Sequence, residues 1–168
     1  MKQQFVSEVL EKFAKEVIKQ SRANLTRQKK NVDRKLYDSL GYDLNVSANS
    51  FSLSLEMEKY GDFQDKGVSG TEVRYDTPYK FTTKQPPSEP IAQWAKKRNI
   101  RLRDEQGRFT KGDYKTIGFL IARSIKRKGI KPSLFFTKPF ENRFKQLPDE
   151  VIEAYGLEID NFLQFTRT

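Results

Sequence analysis

The chain has 168 residues, of which 36% are hydrophobic and 32% charged, and its net charge is +10. It contains no cysteine and no histidine, which excludes disulfide frameworks, Cys/His zinc sites and nucleophilic triads built on those residues. This length predicts one domain, residues 1–168, and the lean hydrophobic content favours an oligomer or a domain with protruding arms.

The first forty residues carry a helical pattern of apolar residues. A strongly amphipathic helix is predicted up to about Asn24, followed by a shorter one that ends at Gly41, since glycine readily adopts the positive φ of a C′ position. The residues that carry the two patterns are Phe5, Val9, Phe13 and Val17 in the first helix, and Val32, Leu36 and Leu40 in the second.

After residue 41 the period changes to two, which predicts a β-hairpin with one buried face and a turn at Asn49-Ser50. The stretch EKYGDFQDKG then predicts a short helix that turns Tyr60 and Phe63 inward and ends at Gly67. The alternating positions of the hairpin are Tyr42, Leu44, Val46 and Ala48, then Phe51, Leu53, Leu55 and Met57.

Residues 68–88 show no periodicity and contain three spaced aromatics, Tyr75, Tyr79 and Phe81. Structureless segments of this length are uncommon in small domains unless they are functional or disordered. The aromatics favour a long loop that becomes ordered against a partner, and the alternative is a flexible loop.

Two further helices follow the loop. The first begins at Ser88 with Pro90 in its opening turn, and Ile91, Trp94 and Ala95 share one side, with Trp94 as a packing anchor. A turn at residues 104–107 indicates a small basic hairpin or loop. The second helix is capped by Gly112-Asp113 and stopped by Gly129, and its buried stripe is Tyr114, Ile117, Leu120, Ile121 and Ile125.

The excess positive charge lies in one segment. Residues 96–131 hold thirteen Lys and Arg against three Asp and Glu, whereas the rest of the chain holds nineteen of each. The tail from Pro148 is acidic, so the asymmetry favours either a polyanion partner or head-to-tail contact between copies. The candidates to face an acidic partner or DNA are Arg98, Arg101, Arg103, Arg108, Arg123, Lys126, Arg127 and Lys128, the last three at a helix end where the dipole favours cations.

The C-terminal part predicts two more helices. Thr137 is the predicted N-cap of the first, Pro139 lies in its opening turn, and Phe136, Phe140 and Phe144 keep helical spacing. A helical extension over residues 148–168 carries a broad apolar stripe: Val151, Ile152, Tyr155, Ile159, Phe162 and Leu163.

The sequence thus predicts an α+β fold, in which an antiparallel hairpin or small sheet is packed by N-terminal and C-terminal helices. Three acidic pairs remain as candidates for a carboxylate metal site, and caps, turns or solvated faces explain each of them equally well. We therefore expect no enzyme activity, no metal and no cofactor. The pairs are Asp62 with Asp65, Asp104 with Glu105, and Asp149 with Glu150.

Several short motifs resemble those of the tail-completion or neck proteins of tailed bacteriophages, the lambdoid minor-tail group that joins head to tail. The matching parts are YGDFQDKG at residues 60–67, GFLIARSIKRKGIK at residues 118–131, and the Pro139-Phe140 pair that opens the C-terminal helical part. The resemblance spans residues 2–144. The enlarged loop that starts at residue 68 and the helix with Trp94 depart from the family pattern.

The resemblance implies a structural virion protein that assembles with itself as a ring, most commonly a hexamer, against portal, adaptor and tail proteins, with packaged DNA passing through the channel. Because the chain shows no signal-peptide run and no apolar stretch of membrane-spanning length, we expect synthesis in the host bacterial cytoplasm and no membrane partner. The alternative is a basic nucleic-acid-binding protein. Contacts between subunits or rings are expected at Tyr75, Tyr79, Phe81, Phe135 and Phe136.

Overall fold

A computed structural model of the protein describes residues 4–30, 32–47, 50–110 and 112–166. These residues form seven helices and one two-stranded antiparallel sheet, which confirms the predicted α+β fold. The chain divides into two units: unit 1 comprises Met1–Lys59 and Phe135–Thr168, and unit 2 comprises Tyr60–Leu134. That both belong to one domain stays a prediction.

Unit 1 contains α1 (Gln4–Arg27), α2 (Lys35–Ser39), β1 (Gly41–Val46), β2 (Phe51–Glu56), α6 (Thr137–Phe144) and α7 (Leu147–Thr166). Unit 2 contains α3 (Gly61–Lys66), α4 (Ser88–Lys97) and α5 (Tyr114–Lys128).

The core of unit 1 is built along α1. One cluster joins its first half to α6 and α7, and a second joins its last half to α2 and Phe135. The helix continues past the predicted end at Asn24 because Leu25, one residue later, is fully buried. Full burial of such a side chain contributes roughly 1.5–3 kcal/mol. The buried positions of α1 are Val6, Leu10, Phe13, Ala14, Val17, Ile18, Ser21 and Leu25.

The predicted hairpin is confirmed. In the antiparallel register, Tyr42 pairs with Leu55 and Leu44 with Leu53, and the half-buried members alternate with exposed polar residues. Leu44, Leu53 and Leu55 pack on the first core cluster. The predicted turn residue Asn49, the strand residue Ala48 and the side chain of Leu163 lie outside the described residues.

α7 packs antiparallel against the first half of α1. The backbone N–H of Val6 donates to Glu158 Oε1 over 3.2 Å, so this buried carboxylate meets the positive N-terminal end of the α1 dipole. Farther along α1, Arg143 of α6 pairs with Glu16 and also with Glu150 of α7. These contacts fix which half of α1 the C-terminal helix covers.

In unit 2, α4 and α5 pack through small residues. Ala92 and Ala95 of α4 face Gly118 and Ala122 of α5, and all four are buried. A Cβ at Gly118 would lie 2.6 Å from the Ser88 carbonyl oxygen and 2.7 Å from the Ala92 Cβ. The absence of a side chain at Gly118 therefore sets how closely the two helices approach.

Two glycines end helices of unit 2 as predicted. Gly67 follows α3 with φ 76°, and Gly129 follows α5 with φ 75°. The next residues, Val68 and Ile130, exchange backbone hydrogen bonds of 2.9 and 2.8 Å. A backbone bridge thus joins the ends of two helices that lie about sixty residues apart in the sequence.

Two predicted helix ends or starts need correction. Gly41 is the first residue of β1 and not a C′ glycine, because α2 ends at Ser39 and Leu40 is already extended. Thr137 is the first residue of α6, and the preceding Phe136 occupies the N-cap position. Asp113, in contrast, caps α5 as predicted, since its side chain accepts a hydrogen bond from the backbone N–H of Lys115.

Several predicted buried positions are wrong. Tyr60 and Phe63 of the α3 region are exposed, and Asp65 is buried instead, at 1% exposure. Trp94 is exposed, because the side of α4 that packs is the one with Ala92 and Ala95. On α5 the predicted stripe is only partly right: Ile117 is buried and Leu120 is exposed, and the other buried residues are Gly118 and Ala122. The remaining stripe residues, Tyr114, Ile121 and Ile125, are half-buried.

Candidate functional site

The positive charge of the protein is concentrated in unit 2. That unit holds seventeen Lys and Arg against eight Asp and Glu, a net charge of +9, and unit 1 holds fifteen against fourteen, a net charge of +1. A field of one sign on one unit attracts polyanions or an acidic protein surface over about a Debye length, roughly 8–10 Å at moderate salt.

The basic end of α5 serves partly to hold the long loop. Lys126 Nζ donates to the Thr83 carbonyl over 2.7 Å, and Arg127 forms a two-pronged ion pair with Glu72, 2.6 and 3.1 Å. The hydrogen bond from Arg127 lowers the pKa of the Glu72 carboxyl. Lys126 and Arg127, predicted to face a partner, therefore already have partners inside their own unit.

The loop also satisfies the C-terminal carbonyls of α5. The backbone N–H groups of Thr71 and Glu72 donate to the carbonyls of Lys126 and Arg127, each over 2.9 Å. A Cβ at Gly70 would lie 2.2 Å from the Arg127 carbonyl, so only glycine allows this approach. The start of the predicted long loop is thus held by hydrogen bonds within the chain.

An arginine-flanked aromatic lies on the predicted basic hairpin. Arg103 and Phe109 pair across it, and Gly107 takes φ 79° in its turn. Phe109 is 61% exposed, and the guanidinium groups of Arg101 and Arg103 lie 5.7 and 4.3 Å from its ring centre. Such a cluster offers charge and an aromatic face together, which suits phosphate and base contact.

The remaining predicted basic residues are exposed on unit 2. Arg98 lies over the ring of Trp94, with 5.8 Å from the guanidinium carbon to the ring centre. Arg108, Arg123 and Lys128 present their side chains to solvent. Arg108, Arg123 and Lys128 remain available for a partner, whereas Arg98 is already engaged with Trp94.

The aromatics predicted for inter-subunit contact have different environments. Tyr75, Tyr79 and Phe81 are half-buried in unit 2, and Tyr79 packs edge-on against Phe63 with ring centres 4.6 Å apart. Ser69 Oγ accepts from the Tyr75 backbone N–H over 3.0 Å, and the Phe81 N–H donates to the Ser69 carbonyl over 2.9 Å. The loop aromatics thus keep part of their surface exposed to solvent.

Phe135 is a core residue, which corrects its prediction as a contact residue. It has 0% exposure, lies in the second cluster of unit 1, and its carbonyl accepts a hydrogen bond from Asn24 Nδ2 over 3.1 Å. Phe136 packs beside it and stacks with Phe140, ring centres 6.1 Å apart. Their apolar character reflects the interior of the chain itself.

In each of the three acidic pairs, one carboxylate already has a contact within the chain. Asp62 is 3.9 Å from Lys66 one turn along α3, Asp104 accepts from the Arg108 N–H over 2.7 Å, and Glu150 binds Arg143. Among the residues that the structure describes, no group of three or more Asp or Glu is placed to hold a metal ion. That the protein is not an enzyme stays a prediction.

α7 carries an apolar row that faces solvent. Ile152, Tyr155 and Ile159, spaced by three and four residues, are all exposed, and Ile152 is 71% exposed. We call these three residues the outer row; Phe162 follows at the same spacing. In the row beside it, displaced by one residue, Leu147, Ala154 and Glu158 are buried and Val151 is half-buried. The predicted stripe is thus mostly uncovered.

A groove of about 880 Å³ runs along the last half of α1. Ile18, Leu40 and Tyr42 line its floor, and Lys15, Lys19 and Arg27 lie at its edges. Arg22 builds one wall by donating to the carbonyls of Tyr37 and Leu40 over 3.1 and 2.9 Å. We call it the α1 groove. Sequence analysis missed it because its floor combines three separate elements.

None of the helices in the described ranges has the length and apolar character needed to cross a membrane. Comparison of the chain with protein families, with curated proteins and with solved structures found no match.

Proposed function

We propose that this protein is a structural subunit of the neck of a tailed bacteriophage, where it forms a ring that joins head to tail. The observation that carries the proposal is the outer row of α7. Ile152, Tyr155 and Ile159 form a continuous exposed apolar row on one helix, a pattern typical of a surface that a protein partner covers.

The motifs that resemble neck proteins support the same function. The segment at residues 60–67 ends in Gly67, the segment at residues 118–131 contains Gly129, and the residues after these glycines form the Val68–Ile130 bridge. Two motifs far apart in the sequence are therefore parts of one structural feature.

Mass photometry of the purified protein tests the proposal, followed by negative-stain imaging of any assembly. We expect one discrete closed ring, with six copies the leading stoichiometry, whose mass does not change when DNA is added. Incubation with purified virion neck components should attach this ring to them. A protein that stays monomeric at all concentrations and joins no such component contradicts the proposal.

A second function is nucleic-acid binding by unit 2, and the Arg101–Phe109–Arg103 cluster favours it. Substitution of both arginines by alanine should weaken retardation of DNA at about 50 mM salt. The matched control removes two exposed lysines of unit 1, Lys12 and Lys35, and so the same net charge. Equal effects of the two double variants would mean that the cluster does not bind nucleic acid specifically.

A further inference from the structure

We propose that the outer row of α7 docks in the α1 groove of a neighbouring copy, and that this head-to-tail contact closes the ring. The inference rests on the proposed function and names the surfaces that carry out its assembly. Both surfaces belong to unit 1, so the contact needs nothing from unit 2.

The two surfaces complement each other in charge. On α7 a third row, displaced by one residue or about 100° from the outer row, carries Asp149, Glu153 and Asp160, all exposed. No lysine or arginine occurs between residues 147 and 166. The groove has the opposite charge at its edges, from Lys19 and Arg27, whereas Lys15 already pairs with Glu11 over 2.8 Å. An apolar row with an acidic flank thus matches an apolar floor with a basic edge.

The apolar floor of the groove is suited to bind an amphipathic helix. Its floor contains Ile18, Leu40 and Tyr42, and an amphipathic helix lays an apolar row into such a groove through residues spaced by three and four. Ile152, Tyr155 and Ile159 have this spacing. Their burial removes from water the apolar surface that unit 1 leaves exposed.

One copy cannot fill its own groove. α7 lies along the first half of α1, where Val6 contacts Glu158, whereas Arg22 of the groove lies sixteen residues farther along the helix. At 1.5 Å per residue this is roughly 24 Å. The outer row faces solvent on α7 and the groove lies along the last half of α1, so they are separate surfaces of unit 1. A contact between unlike surfaces of identical copies is heterologous, and heterologous contacts generate rings when the rotation closes.

Charge reversal with rescue tests the contact. The acid-reversed variant carries Glu153→Lys and Asp160→Lys, and the base-reversed variant carries Lys19→Glu and Arg27→Glu. We expect each variant alone to be monomeric at concentrations where the wild type is a ring. An equimolar mixture should recover rings in which the two variants alternate. Each reversed helix then meets a reversed groove, and each unchanged helix meets an unchanged groove. Failure of the mixture to assemble, or unimpaired assembly of each variant alone, overturns the inference.

The apolar row has a matched control on the same helix. Ile159→Ser removes an outer-row residue, whereas Leu157→Ser removes a side chain of similar exposure, 49% against 42%, that lies off the row. We expect Ile159→Ser to raise the concentration needed for half assembly by about tenfold or more. Leu157→Ser should leave it unchanged. Equal effects of the two substitutions contradict the docking of this row.

Cross-linking identifies the surfaces directly, because the native chain has no cysteine. With Ala23→Cys in the groove and Ile159→Cys on the outer row, mild oxidation should give a ladder of disulfide-linked species up to the ring size. Each single-cysteine variant should give at most a dimer. If the wild type forms rings but no ladder appears, the neck function stands and the inference fails. If the wild type forms no rings, both the proposed function and the inference are contradicted.

Discussion

Gly118→Ala is expected to destabilise unit 2, although alanine is the better helix former. In an unconstrained helix interior, replacing glycine by alanine stabilises by roughly 1 kcal/mol. At Gly118 the new Cβ would lie 2.6 Å from the Ser88 carbonyl oxygen, against roughly 3.5 Å for an ordinary contact. α4 and α5 must therefore separate by nearly 1 Å, and overpacking of this kind costs about 1–3 kcal/mol. The net loss is about 1 kcal/mol.

Gly156→Ala is the matched control. Gly156 lies inside α7, and a Cβ added there would meet nothing within 4 Å. Only the gain in helix propensity remains, so this substitution is expected to stabilise unit 1 by roughly 0.5–1 kcal/mol. The same chemical change thus has opposite signs at two helical glycines.

Urea unfolding measures both variants at one protein concentration. The single tryptophan, Trp94, lies on α4 and reports on unit 2 by fluorescence, whereas helix content by circular dichroism reports on both units. With a slope near 1 kcal/mol per molar urea, the Trp94 midpoint of Gly118→Ala should fall by roughly 1 M. A midpoint that rises for Gly118→Ala would refute the argument that the two helices are in close contact there.

Three further predictions concern stability. Phe135→Ala should lower the free energy of unfolding by about 3–5 kcal/mol, measured by urea unfolding, because a fully buried ring is lost; an effect on assembly alone would restore it as a contact residue. Arg143→Ala should lower the free energy of unfolding by about 2 kcal/mol in the same assay, because the Arg143 side chain is 10% exposed and binds two carboxylates. Lys145→Ala, the control at an exposed position, should leave it unchanged. The hydrogen bond from Arg127 lowers the pKa of Glu72, so the pair stabilises the fold above the ordinary carboxyl pKa, and this contribution is lost as the pH falls. In thermal unfolding, Glu72→Gln should therefore lose less stability than the wild type between about pH 5 and pH 3. Equal losses of stability in the two proteins would contradict the pairing.

The helices and the hairpin could be predicted because their signals are local. The period of apolar residues indicated α1, the alternation indicated β1 and β2, and Gly67 and Gly129 ended helices because only glycine takes their positive φ without strain. Asp113 capped α5 for an equally local reason.

The packed faces were harder to predict because they depend on the partner element. On α5 the hydrophobic pattern favoured Leu120, yet the buried face passes through Gly118 and Ala122, since α4 offers alanines and the helices approach closely. The sequence likewise contained no sign that Asp65 is buried. In the candidate site, Lys126 and Arg127 could be predicted as a basic helix end, but not their contacts with Thr83 and Glu72.

The sequence by itself determined the fold class, the order of elements and the concentration of charge, because these follow from neighbouring residues and composition. Only the tertiary structure decided which apolar residues are interior. Phe135 is enclosed by α1 and α2, whereas Ile152 and Ile159 stay in solvent because α1 covers the adjacent row of α7. Burial depends on which surfaces meet, and those surfaces come from residues distant in the chain. For the same reason the α1 groove became visible only once its three elements were assembled.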